Sequence, residues 1–325
     1  MKLLFARERL GASMPAERFR SLLPAWELAT CAPDRVAENL DGVNVVCPLG
    51  AKLTTHVLAA GTFGLVHQFG VGLERVDVAA ATELGVLVAR VPGDTGGNAD
   101  SVAEMTVLHL LALARRLDEA RAALADRRWT DRPIGMSLLD ATVVIVGMGA
   151  IGTGVARRLA PFGCRMLAVR QHPENAGPPE LELVTGPDKL HDLLAQADAV
   201  VCCAMLHSQN AGLFSAPEFA AMKPGALFIN VARGGLVDET ALLAALESGQ
   251  VAAAGLDVFS SEPADPASPL TRHPRVLATP HVGWYTELMF RRTGEIFAAN
   301  LQRFARGDQP LWTVNAPTFL RSSAS

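Results

Sequence analysis

Thr142 to Gly152 reads TVVIVGMGAIG, and this stretch decides the fold. Thr142, Val143, Val144, Ile145 and Val146 form a short apolar, mostly β-branched run, the composition of a strand buried on both faces. The run passes straight into Gly147, Gly149 and Gly152, spaced G-x-G-x-x-G. Val155, Ala156, Leu159 and Ala160 then recur at helical spacing, with Arg157 and Arg158 on the other face. Strand, glycine turn and helix are the context in which this spacing holds a dinucleotide. Gly147 permits the tight turn, Gly149 lets backbone approach a pyrophosphate, and Gly152 lets helix pack on strand. The helix N-terminus turns its N–H groups and positive dipole end toward the phosphates. The competing reading is a plain tight turn between strand and helix, with no ligand.

Working outward, Arg165–Val169, Ala199–Cys203, Ala226–Asn230, Ala252–Leu256 and Val276–Ala278 are further short apolar runs. Helical stretches at Leu190–Gln196, Pro217–Met222 and Glu239–Glu247 separate them. This predicts about six parallel strands, as a Rossmann dinucleotide-binding fold needs. Upstream, strands at Leu3–Ala6, Val43–Val46, Leu65–Gln68 and Val86–Ala89 alternate with helices at Pro15–Leu23, Thr54–Ala60 and Val78–Leu84. Ser13 is placed to cap the first helix, with Pro15 in its first turn. This alternation predicts a second α/β domain without a phosphate fingerprint. Asn98–Leu117 reads as a long helix, with Ser101 and Glu104 at capping-box spacing. It is apolar over more than one face, which suits a helix between two domains. A last helix, Thr286–Arg306, has no strand left to serve and is inferred to return to the first domain.

The fold class is therefore α/β, with two doubly wound parallel-sheet domains. A Rossmann domain over 104–284 interrupts a flavodoxin-like substrate domain formed by 1–103 and the C-terminal helix and tail, 285–325. The 325 residues suit two domains. Half of them are hydrophobic and 19% are charged, enough for a large core. A formal net charge of −4 gives no reason to expect nucleic acid or an acidic membrane as partner. The start, MKLLFARERLG, is too short in apolar residues for a secretory signal, and no run is long enough to span a bilayer. Cys31, Cys47, Cys164, Cys202 and Cys203 lack C-x-x-C spacing and lie mostly in apolar runs. They read as buried free thiols in a reducing cytoplasm rather than as disulfides or metal ligands.

Three charged residues fall just beyond strands of the second domain: Arg233, Glu262 and His281. In an open parallel sheet, ligands bind in the crevice beyond the strand carboxyl ends. Histidine can pass a proton to or from a hydroxyl near neutrality. A carboxylate beside it favours the imidazolium. Arginine is a permanent planar fork for a substrate carboxylate. Taken singly, each also reads as a surface ion pair; taken together, they fit a carbonyl/alcohol reaction beside a nucleotide.

Over nearly its whole length the sequence resembles the D-isomer-specific 2-hydroxyacid dehydrogenases. The matching segments are FGVGLERVD at 69–77, NADSVAE at 98–104, Gly147–Gly152, NVARGGLVDE at 230–239, DVFSSEP at 257–263 and TPHVGW at 279–284. The resemblance implies two domains with a cleft between them and a homodimer built around the nucleotide-binding domains. It implies hydride transfer between a nicotinamide and a small 2-oxo acid, with His281 as acid/base, Glu262 as its partner and Arg233 orienting the substrate. Val71 and Gly72 match the loop that holds the substrate carboxylate, and Leu49 lies in the other substrate-facing loop. Ala150 and Ile151 match pyrophosphate-contacting positions, Ala232 another cofactor-contacting position, and Asp257 a residue near the nicotinamide amide.

Departures from the family pattern bear on specificity. NAD-using members commonly end the second strand with Asp for the ribose hydroxyls, whereas here Arg170 stands there, followed by Gln171 and His172. Arginine cannot accept from a hydroxyl but pairs with a 2′-phosphate, so NADP(H) is expected to be preferred, with NAD(H) as the alternative. Met205-Leu206-His207 replaces the usual Pro-Leu-Thr, and Gly93–Gly97 lengthens a loop before Asn98. Cys47–Ala51 holds no basic residue for a phosphate, which favours glyoxylate or hydroxypyruvate over phosphoglycerate. A nucleotide-sensing, corepressor-like binding protein and a phosphite-type dehydrogenase are the rival readings. No metal is called for.

Overall fold

The computed structural model describes residues 1–8, 16–175 and 177–321; Ser13 and Pro15, expected to start the first helix, lie outside the described residues. Contacts divide the chain into one unit of Met1–Asn98 with Tyr285–Ser325 and another of Ala99–Trp284.

The first unit carries β1 (Lys2–Phe5), β2 (Glu27–Thr30), β3 (Val45–Cys47), β4 (Leu65–Gln68) and β5 (Leu87–Arg90). They form a parallel sheet in the order β2-β1-β3-β4-β5, the flavodoxin-like winding. Leu3, Leu4, Val45, Val46, Leu65, Val66 and Val88 are all buried, as strands covered on both faces require. Helices α1 (Ala16–Leu22), α2 (Thr55–Ala59) and α3 (Val78–Glu83) belong to this unit. Thr54 caps α2 and Asp77 caps α3, each side chain accepting from a first-turn N–H.

Helix α4 (Asn98–Ala114) leads into the second unit and α5 (Leu117–Ala125) follows it, with Arg116 between them in the left-handed region at φ 48°. The contacts divide the chain at 98/99 rather than at 103/104. The reason is that α4 packs by its first turn on the second unit, where Ala99 and Ala103 meet the backbone at Gly154 and Asp100 and Glu104 pair with Arg158. Ser101 is therefore buried inside the helix, and Glu104 serves Arg158 rather than a capping box. Most of the apolar surface of α4 goes into one core, while Leu108 stays exposed.

The rest of this unit alternates strand and helix. In order come β6 (Thr142–Val146), α6 (Ala150–Leu159), β7 (Arg165–Val169), β8 (Leu183–Thr185), α7 (Leu190–Leu194) and β9 (Ala199–Cys202). Then follow α8 (Ala216–Ala221), β10 (Ala226–Asn230), α9 (Glu239–Ser248), β11 (Val251–Leu256) and β12 (Val276–Ala278). The parallel seven-stranded sheet runs β12-β11-β10-β9-β6-β7-β8, the Rossmann order with one strand added. Alternate residues of β6 feed opposite cores. Val144 and Val146 join Phe228 and Leu242; Val143 and Ile145 join Leu110 and Val155. The strand order reverses between β6 and β9, which puts the turn after β6 at the switch point.

Helix α10 (Glu287–Ala305) rejoins the first unit, capped by Thr286 accepting from Met289 N–H. Its Phe297 is fully buried among the rings of Phe5, Phe19, His67 and Phe69. The tail beyond it ties down with Asn315 on Val88 N–H and Arg321 on the carbonyls of Leu58, Gly61 and Leu84.

Candidate active site

The glycine turn after β6 has the shape a pyrophosphate requires. Gly147 adopts φ +102°, and a Cβ on it would lie 2.5 Å from Ala204 N. A Cβ on Gly152 would lie 2.1 Å from Gly147 O, so helix and turn meet through glycine alone. A Cβ on Gly149 would meet nothing within 4 Å; the space above it is open to a ligand. Gly149 is the N-cap of α6, and Ala150 and Ile151 open the helix with N–H groups that no intrahelical carbonyl can satisfy. The turn thus fits a dinucleotide phosphate. Arg170 directly follows β7 and is half-buried, its Nη1 donating to Asn175 O at 2.7 Å.

Beyond the carboxyl ends of β10, β11 and β12 lie the three charged residues. Ala232 is buried, its N–H donating to Asn230 Oδ1 at 3.0 Å and its carbonyl accepting from Arg233 Nη1 at 2.7 Å. Glu262 and His281 meet directly: Oε2 is 2.8 Å from Nδ1, with the side chains 33% and 37% exposed. Glu262 Oε1 accepts from Phe259 N–H at 3.1 Å. Burial pushes the Glu262 carboxyl up. The hydrogen bond and charge of His281, the Phe259 N–H and the Arg233 charge outweigh it and leave the carboxyl below its ordinary value. Arg233 therefore acts on the same carboxylate. With Nδ1 taken by Glu262, Nε2 is the His281 nitrogen left to serve a substrate.

His281 is left-handed, at φ 52°. Its turn is anchored by Asp257, which is 2% exposed. Asp257 Oδ1 accepts from the Thr279 hydroxyl at 2.6 Å and Val282 N–H at 2.9 Å, and Oδ2 from Gly283 N–H at 2.8 Å. Thr279 in turn contacts the buried His109 of α4. Neither Thr279 nor His109 stands out in the sequence, because 170 positions separate them.

In the first unit, Leu49 (φ 50°), Val71 and Gly72 lie on the loops after β3 and β4. Gln68, not singled out by sequence, joins the two loops: its Nε2 donates to Leu49 O at 3.0 Å and Gly72 O at 2.8 Å. Arg90 Nη1 donates to Val71 O at 3.2 Å. Arg75 reaches Gly50 O at 3.0 Å, so a guanidinium does stand beside the 47–51 loop, which lacks a basic residue of its own. The Gly93–Gly97 loop is held on α10, with Thr293 Oγ1 donating to Gly96 O. His207 sits exposed in the loop after β9, bonded to Asn210 and Gln209. Cys31, Cys47, Cys202 and Cys203 are buried and Cys164 partly so, all as free thiols. Burial pushes Cys47 and Cys202 up to about 12. Among the described residues no His, Cys, Asp and Glu cluster suits a metal ion, and no helix is long and apolar enough to cross a membrane.

Residues 107–283, more than half of the chain, match the family model described as D-isomer specific 2-hydroxyacid dehydrogenase, NAD binding domain. The chain belongs to that family. A family member called D-3-phosphoglycerate dehydrogenase, from Mycobacterium leprae, is 40% identical over 253 residues, 77% of this chain and 46% of that protein. The protein of the same name from Methanocaldococcus jannaschii is 34% identical, over 90% of this chain and 55% of its own length. The chain spans about half the length of the curated relatives it matches. Among solved structures, the TT0316 protein of Thermus thermophilus superposes with a TM-score of 0.83 at 29% identity, covering 97% of this chain and all (100%) of that one. A glyoxylate reductase from Paecilomyes thermophila superposes with a TM-score of 0.81 at 26% identity, covering 97% and 98%.

Proposed function

We propose that this 2-hydroxyacid dehydrogenase family member reduces a small 2-oxo acid, glyoxylate or hydroxypyruvate, to the D-2-hydroxy acid. The observation that carries this reading is the 2.8 Å Glu262–His281 pair, with the Arg233 charge bearing on the same carboxylate. A bound reduced nicotinamide supplies the hydride. His281 then protonates the forming alkoxide from Nε2, while ionised Glu262 favours the imidazolium that this requires. In the oxidative direction the same histidine must start neutral. Arg233 offers a planar fork to the substrate carboxylate. In the first unit, the N–H groups of Val71 and Gly72, with Leu49, are proposed as substrate-binding groups. Gly147, Gly149, Ala150, Ile151 and Gly152 seat the pyrophosphate. Ala232 lies along the cofactor, and the remaining acceptor capacity of Asp257 is assigned to the nicotinamide amide.

Arg170 is assigned to a 2′-phosphate, which makes NADP(H) the preferred cofactor. The test is a panel of 2-oxo acids with NADPH and NADH. NADPH is expected to give the higher kcat/KM, and Arg170→Asp to reverse the ratio; an NADH preference in the wild type overturns the assignment. The name of the relatives and Arg75 beside Gly50 favour a second reading, 3-phosphoglycerate and its oxo acid, which the panel includes. No turnover with tight NADPH binding would instead favour a nucleotide-sensing protein, and turnover of phosphite a phosphite-type dehydrogenase.

A cytoplasmic homodimer is part of the same proposal. Leu108, Leu117, Leu124, Trp129, Ile134 and Leu139 of the second unit are exposed, Ile134 at 89%, and are assigned to the contact between the two copies. Light scattering should give twice the chain mass; a monomer refutes it.

A further inference from the structure

His109 on α4 is fully buried, and its Nε2 lies 3.2 Å from Thr279 Oγ1. Thr279 Oγ1 lies 2.6 Å from Asp257 Oδ1. An ionised carboxylate only accepts, so the Thr279 proton goes to Asp257 and the Thr279 oxygen accepts from His109 Nε2–H. This puts a proton on Nε2, and among the described residues Nδ1 has no hydrogen-bond partner. Burial draws the ring's pKa down against the opposing charge of Asp257. The ring is fitted tightly: a Cβ on Gly255 of β11 would come within 3.0 Å of its Cβ and Nδ1. Leaving a buried nitrogen unsatisfied costs stability, and an apolar side chain here would avoid that cost. The return lies at Nε2.

That return reaches the reacting end of the molecule. Asp257 holds the N–H groups of Val282 and Gly283, directly after His281, whose left-handed backbone must be held in place by its surroundings. We propose that His109 is a positioning residue: it orients Thr279 and Asp257, and through them holds the turn that presents His281. The inference rests on the reading of His281 as the acid of the proposed reaction.

The test uses the full chain with NADPH and glyoxylate. His109→Leu removes the donor at similar volume, whereas His109→Gln restores an N–H near the place of Nε2. We expect His109→Leu to lower kcat about tenfold with KM for glyoxylate little changed, and His109→Gln to recover most of the loss. Thr279→Val cuts the chain at its middle and should show the same loss, even if His109→Leu fails to fold. A wild-type kcat in His109→Leu and Thr279→Val overturns the proposal, as does an equal loss in His109→Leu and His109→Gln. Amide NMR supplies a readout independent of turnover. The Val282 and Gly283 resonances should move in His109→Leu and stay in His109→Gln; unmoved resonances in His109→Leu also overturn it. If the wild type turns over no 2-oxo acid while these resonances respond as expected, the catalytic reading fails and the anchoring of the turn by His109 stands.

Discussion

Glu262 is held by opposing influences, burial raising its pKa and the His281 and Phe259 contacts with the Arg233 charge lowering it by more. Glu262→Gln keeps the shape and removes the charge that favours imidazolium on His281. In the reductive direction kcat/KM at neutral pH should fall by about tenfold; an unchanged value refutes the partnership. His67 offers a stability counterpart. Burial draws its pKa from 6.5 to about 4, against a smaller pull from the Gln68 carbonyl. The folded group stays neutral while the unfolded one protonates, so stability is lost as pH falls from about 6.5 toward about 4. Between pH 6.5 and 4.5 this is worth on the order of 2–3 kcal/mol, and His67→Gln should lose less by that amount in urea unfolding. Equal losses would refute the role of His67. Arg233, Glu262 and His281 are legible in sequence because each follows a readable strand. Gln68, Thr279 and His109 are not, because their roles come from contacts that only the fold creates.

At the scale of elements, buried strands announce themselves by unbroken apolar runs, and the short edge strands β2 and β8 do not. β2 reads ELAT and β8 reads LVT; both lie at sheet edges, half in solvent, so little apolar sequence is needed. Helix α5 escapes a reading of the sequence for a similar reason: of its residues, LDEARAALA, only Ala123 is buried, so no broad apolar face marks it. The strand β6, by contrast, is readable to the residue and α6 in its place, because the glycines between strand and helix satisfy a steric demand. Gly152→Ala places a methyl on Gly147 O and should force helix from strand. Overpacking of this kind costs about 1–3 kcal/mol and should weaken NADPH binding along with Tm. Gly149→Ala meets no protein atom and should spare Tm while still weakening NADPH binding. Equal effects of the two substitutions on Tm would refute this separation of packing from ligand approach.

The whole chain is organised so that one unit is continuous and the other is not. The second unit, Ala99–Trp284, contains every strand of its sheet and both cores on that sheet's faces. The first unit has its five strands before Asn98 but takes α10 from after Trp284. Phe297 fills the ring cluster of Phe5, Phe19, His67 and Phe69, and Asn300 satisfies His67 Nε2 at 2.9 Å. Removing one such phenylalanine costs about 3–5 kcal/mol, a large share of an ordinary domain's stability. Residues 1–98 expressed alone should therefore fail to fold, whereas 99–284 should unfold cooperatively and bind NADPH. Joining 1–98 to 285–321 through a short flexible linker should restore a cooperative transition to the first unit, and Phe297→Ala within that fusion should abolish it. Circular dichroism melts of the four proteins check this. A cooperative melt of 1–98 alone would show that the sheet and its helices suffice without α10.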